Sequence, residues 1–165
     1  MTSNSDREVD YQSVQSDSLS ITVKSDNLSE DMTHNDELLI MGYLYKDSGV
    51  LDSVILTKRL TLNPKNMSKT FKWHVGQSVL GKDIMLFILE QDSDTPSEQI
   101  DAILRIHYSS IIKAFKNRSY SEIEKYIGDE DVLDYRLLKD LSTPLEFTFR
   151  GIYKMDKYEY AVKIE

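Results

Sequence analysis

Eight carboxylates in this 165-residue chain fall into two stretches: Asp26, Glu30, Asp31 and Asp36 follow the first strand-like segment, and Asp92, Asp94, Glu98 and Asp101 follow the fifth. Calcium takes about six to eight oxygens, largely carboxylate, from flexible loops. In an antiparallel sandwich, loops far apart in sequence meet at one end of the sheets, so two acidic loops can share an ion. Solvated loop acids that only keep a protein soluble would give the same composition.

Other chemistries find less in the sequence. His34, His74 and His107 are the only histidines, and they fall on three different expected elements without metal-motif spacing. There is no Gly-x-Ser-x-Gly elbow and no Gly-rich phosphate loop, and the absence of cysteine removes thiolate metal sites and Cys nucleophiles. No carboxylate pair is marked out by an apolar pocket. The reading is therefore non-enzymatic.

Charge narrows the partners. The chain holds 28 Asp+Glu against 20 Lys+Arg, a net of −8, and residues 1–37 carry −7 of it through nine acids and two bases. The rest is nearly neutral, so no basic excess exists to displace counterions from nucleic acid, and no nucleic-acid partner is expected. Residues 1–17 have only Tyr11 as an aromatic and read as a disordered acidic tail. The N-terminal Met-Thr-Ser-Asn-Ser-Asp lacks the basic and apolar regions of a secretory signal. The longest apolar run, Ile84 to Leu89, is far short of the ~20 residues that cross a bilayer. A soluble, cytoplasmic protein fits these features and the lack of cysteine.

Period two governs most of the elements that must position the acids. Leu19, Ile21 and Val23 alternate with polar residues, as do Val54 to Leu62 and Phe71, Trp73 and Val75. Leu38 to Tyr45 is an apolar run of strand formers, and Ile84 to Leu89 reads as a strand buried on both faces. Ala102 to Tyr108 suits helix or strand equally. Ser119-Tyr120-Ser121-Glu122 has capping-box spacing, and Ile123, Tyr126 and Ile127 follow at helical intervals. A second short helix is expected from Asp131 to Leu141, closed by Pro144. Leu145 to Tyr153 and Tyr158 to Ile164 read as a hairpin with a turn at 154–157. Its tyrosines, with Phe147 and Phe149, suit either cross-strand packing or a partner interface.

Leu19-Ser-Ile-Thr-Val-Lys-Ser-Asp-Asn-Leu28, an acidic loop and Asp36-Glu-Leu-Leu-Ile-Met-Gly-Tyr-Leu44 resemble the opening of a C2 domain. Asp83-Ile-Met-Leu-Phe-Ile-Leu-Glu-Gln-Asp92-Ser-Asp94 with Ile100-Asp101-Ala-Ile103 is similar to that family's strand ending in Asp-x-Asp with a further Asp beyond. The resemblance covers roughly Leu19 to Tyr108. It implies an eight-stranded β-sandwich and, residue by residue, Asp31 and Asp36 as first-loop and Asp92, Asp94 and Asp101 as third-loop calcium ligands. Glu37-Leu38 stands where the family has Pro-aromatic, and Leu104 where it has Gly.

The expected architecture is mainly β. One C2-like, two-sheet antiparallel β-sandwich spans 18–165, with a short helical insert at about 109–143 before a C-terminal hairpin. The expected function is a non-enzymatic protein-interaction module with a protein partner. The alternative is calcium-dependent phospholipid binding, in which the membrane is a partner only when calcium neutralises the acidic loop tips.

Overall fold

Alternation becomes strand wherever one face can be buried. A computed structural model of the chain describes residues 18–27, 35–76, 79–91, 94–127, 131–141, 143–153 and 156–165; the tail at 1–17, Asp31 and Asp92 lie outside them. The strands are β1 (Ser18–Asn27), β2 (Asp36–Lys46), β3 (Val50–Leu62), β4 (Ser68–His74), β5 (Ile84–Glu90), β6 (Asp131–Leu138), β7 (Leu145–Tyr153) and β8 (Asp156–Ile164). They form two four-stranded antiparallel sheets in the orders β4-β1-β8-β7 and β3-β2-β5-β6. This is the eight-stranded, C2-like sandwich that the resemblance implies. Helices α1 (Ser97–Ile106), α2 (Tyr108–Lys116) and α3 (Tyr120–Ile127) lie between β5 and β6.

Two apolar layers follow from the pleat. Leu19, Ile21 and Val23 of β1 meet Leu38, Ile40, Ile84, Leu86 and Ile88 between the sheets. The opposite faces of β2 and β5 present Leu39, Met41, Tyr43, Met85, Phe87 and Leu89 to Ile100, Leu104, Ile111, Ala114, Ile123 and Ile127 of the helices. Every residue of β5 is buried, as its unbroken apolar run requires. The first sheet differs, because Thr22 and Lys24 of β1 turn to its outer face.

Close approach also shapes β2. A Cβ added at Gly42 would lie 3.2 Å from Leu56 Cβ and 3.4 Å from Leu86 Cδ1. The pairing of β2 with β3 shifts register directly after this residue, so a larger side chain would press on both neighbouring strands.

The helical insert is displaced from its expected limits of 109–143. The ambiguous Ala102 to Tyr108 stretch lies in helix up to Ile106, because helical phasing buries Ile100 and Leu104 against β2 and β5. Residues Asp131–Leu138 form strand β6, where a helix was expected. The reason is tertiary: β6 pairs with β5 from Ile84↔Leu138 to Glu90↔Asp131, supplying hydrogen bonds that a strand so buried needs along its second edge. The hairpin forms as expected, with Leu145↔Ile164 and Tyr153↔Asp156 in register. Of the expected turn at 154–157, Asp156 and Lys157 belong to β8, and Lys154 and Met155 lie outside the described residues.

The helix layer should thus be part of the core. Leu104→Ala is expected to lower unfolding free energy in urea by about 2–5 kcal/mol. Ile106→Ala on the same helix, at a position 75% exposed, should change it by no more than about 0.5 kcal/mol. Equal effects at the two positions would contradict this packing.

Candidate functional site

Of the five acids assigned to calcium, Asp31 and Asp92 lie outside the described residues, and Asp36, Asp94 and Asp101 fall on different elements. Asp36 opens β2, is fully buried, and accepts the Tyr160 hydroxyl hydrogen bond from the opposite sheet. Asp101 lies on α1 and accepts from the Tyr43 hydroxyl at 2.7 Å and from Arg105 Nε at 2.9 Å. Arg105 also stands over the Tyr43 ring, 5.3 Å from its centroid. Burial, then the Asp101 hydrogen bond and charge, push the Tyr43 phenol well above its usual pKa, so it remains a donor.

Tyr43 is seven residues along β2 from Asp36, about 23 Å at ~3.3 Å per residue, and the two side chains point to opposite faces of the sheet. Asp36 ties the two sheets together, whereas Asp101 anchors the helix layer. These two acids, which the resemblance assigns to the first and third loops, thus lie on opposite faces of β2, each already bonded to a tyrosine. Asp94 is exposed before α1. Among the described residues no group of three or more His, Cys, Asp or Glu is arranged to hold a metal. His74 and His107 are both exposed, on β4 and between α1 and α2; His107 packs on Tyr126 at 4.8 Å between ring centroids.

A wide concavity lies elsewhere, where edge strand β6 of one sheet meets edge strand β7 of the other. An edge strand presents unpaired backbone groups, and here side chains of β6 satisfy those of β7. Arg136 Nη2 donates to the Thr148 carbonyl at 2.8 Å, and the Arg150 N–H donates to Asp134 Oδ2 at 3.2 Å. Alternate residues of β6 thus offer a donor and an acceptor, as a further strand would. On the other side of the sandwich, Trp73 Nε1 donates to the Ile55 carbonyl at 3.0 Å and links β4 to β3.

Beside the β6–β7 seam opens a groove of ≈ 930 Å³, lined by Phe115, Arg118, Tyr120, Tyr135, Phe147 and Arg150 among others. Phe115 and Tyr135 pack at 5.1 Å between ring centroids, and the Arg136 guanidinium lies 5.5 Å from the centroid of Phe147. The lining also holds two acids. Asp134 accepts backbone N–H groups of Tyr135 and Arg150, and Glu146 lies 3.9 Å from Lys163. Burial nevertheless raises the Asp134 pKa, outweighing the two hydrogen bonds and the Arg136 charge that oppose it.

Arg118 is held by the end of α2. Its N–H donates to the Phe115 carbonyl at 3.0 Å and that of Ser119 to Ala114 at 2.9 Å, a Schellman ending. The residue after the cap must then be left-handed, and Arg118 has φ 53°. Glycine adopts this conformation freely; another side chain there costs about 1 kcal/mol. Arg118 accepts that cost, and its guanidinium has no hydrogen-bonding or ionic partner among the described residues. Sequence reasoning missed Arg118, Arg136 and Arg150. They are scattered in the chain, and only the alternation of Asp134 and Arg136 hinted at a strand with a charged face.

Comparisons with known proteins add little beyond the architecture. No protein-family model matches the chain, and no curated protein matches it. Among solved structures, one titled "Structure of a C2 domain" is similar at 8% identity, covering 90% of this chain and 97% of that one, with a TM-score of 0.30. The sandwich is defined by its own strand pairing. Among the described residues no helix is long and apolar enough to cross a membrane.

The raised pKa of Asp134 carries a sign that can be measured. Its protonated form is favoured in the folded state, so its titration contributes most to stability below the ordinary value of 3.8, and this contribution is lost as pH rises through the raised folded value. In urea denaturation over the acidic range, the stability advantage of wild type over Asp134→Ala should narrow as pH rises through that window. An advantage that widens would contradict the dominance of burial.

Proposed function

We propose that the chain is a non-enzymatic protein-interaction module whose docking face is the groove between α2, β6 and β7. The observation that carries this reading is the groove's lining, in which aromatic rings and guanidiniums from the helix layer and both sheets converge. Arg, Tyr and Phe are enriched at the buried centres of interfaces, where flat groups fill pockets at low entropic cost. The occupant is an extended segment of a partner protein, held by side-chain contacts. Strand addition to β7 is disfavoured at Thr148 and Arg150, because Arg136 and Asp134 already occupy those edge groups.

The alternative, calcium-dependent phospholipid binding through Asp31, Asp36, Asp92, Asp94 and Asp101, has less support. Asp36 and Asp101 already hold protein partners on opposite faces of β2. A nucleic-acid partner is disfavoured by the net charge of −8. A cytoplasmic setting fits a chain without cysteine.

Selection of a random peptide library on the full chain tests the proposal. Recovered peptides should bind a Tyr120→Ala, Arg150→Ala double variant at least about tenfold more weakly, as expected when interface anchors are removed. Millimolar calcium should leave the melting temperature unchanged. Peptides indifferent to both substitutions would contradict the groove, and a calcium-dependent rise in melting temperature would favour the alternative, since a ligand of the native state must stabilise it.

A further inference from the structure

We infer that the partner segment is acidic, and that Arg118 is the residue that selects it; this rests on the docking reading above and names the chemistry of its occupant. Three guanidiniums, from Arg118, Arg136 and Arg150, line the groove, and they differ in what they have left to offer. Arg136 spends one donor on Thr148 and lies over Phe147. Arg150 stands 3.7 Å from Glu159, with both side chains exposed, a pairing that contributes little and exchanges readily. Arg118 has all its donors available among the described residues.

The lining holds these three guanidiniums against two carboxylates, Asp134 and Glu146, an excess of one positive charge. Asp134 is turned to the backbone of its own strand and of β7, and Glu146 lies beside Lys163. Residues 38–165, which supply the whole lining, are almost neutral, since residues 1–37 carry −7 of the overall −8. An arginine fork matches a carboxylate with two parallel hydrogen bonds, and the rings of Phe115, Tyr120 and Tyr135 offer apolar surface beside it. The chemistry that fits is a peptide alternating carboxylate and apolar side chains. The Schellman ending of α2 fixes the left-handed backbone of Arg118 beside the groove, and its guanidinium has no hydrogen-bonding or ionic partner among the described residues.

Fluorescence anisotropy on the full chain tests the inference, using labelled peptides of equal length in which Phe and Leu alternate with Glu, with Ser or with Lys. The Glu peptide should bind, more tightly at low ionic strength. The Ser peptide should bind about tenfold more weakly, as loss of a charged hydrogen bond implies, and the Lys peptide should not bind. Arg118→Gly suits the left-handed backbone and should melt no lower than wild type, yet bind the Glu peptide about tenfold more weakly with the Ser peptide unchanged. Arg118→Glu should weaken it further, and Arg118→Lys should recover part of the loss.

Equal affinity for the Glu and Ser peptides would overturn the acidic preference while leaving the docking module intact. Binding by no peptide would overturn both. Unchanged affinity in all three Arg118 variants would show that Arg118 does not select the ligand, and would overturn the inference. Wild-type binding to phosphatidylserine vesicles, lost in Arg118→Glu and unmatched by any peptide, would make the occupant a membrane and overturn it as well.

Discussion

Strand β5 is covered on both faces and hydrogen-bonded along both edges, and this constraint orders the rest of the molecule. Ile84, Leu86 and Ile88 enter the layer between the sheets, and Met85, Phe87 and Leu89 face the helices. A two-sheet sandwich alone would leave that second row in water. Each such side chain gains about 1.5–3 kcal/mol on burial, so three helices fold over it. Full burial also requires partners on both edges, which β2 and β6 provide. Placing β6 there brings its outer edge against β7, and the groove lies along that junction beneath the end of α2.

Much of this was legible in the sequence. Period-two alternation located β1, β3, β4 and the terminal hairpin, and the unbroken run from Ile84 to Leu89 marked a strand without a solvent face. The resemblance pointed to the same sandwich. What could not be read was decided by tertiary contact. Val132, Leu133, Leu137 and Leu138 fit helical spacing as well as strand spacing, and only the open edge of β5 selects the strand. Ala102 to Tyr108 fits both periods too, and the choice follows from which face can reach β2 and β5.

The site was harder to read, for a related reason. Acidic residues clustered in sequence invite a shared ion, but Asp36 and Asp101 are divided by a strand and each is used to fasten one layer to another. The arginines of the groove come from the turn after α2, from β6 and from β7, separated by loops and pairings that no local pattern reveals. Arg118 is conspicuous only once its backbone is known to be left-handed. The edge device is equally invisible beforehand: Asp134 and Arg136 stand in for a missing neighbour strand, so the seam is closed by side chains and the adjoining surface stays open to a ligand.

Hydrogen exchange of the full chain, with and without a saturating acidic peptide, tests the groove as docking face most directly. The account predicts slowed exchange at the end of α2 from Phe115 to Tyr120, along β6 from Asp134 to Leu137, and along β7 from Glu146 to Arg150. The exposed edge of β3 around Val50 and Val54 should be unaffected. Protection centred on β3, or on the outer face of β1 and β8, would contradict it.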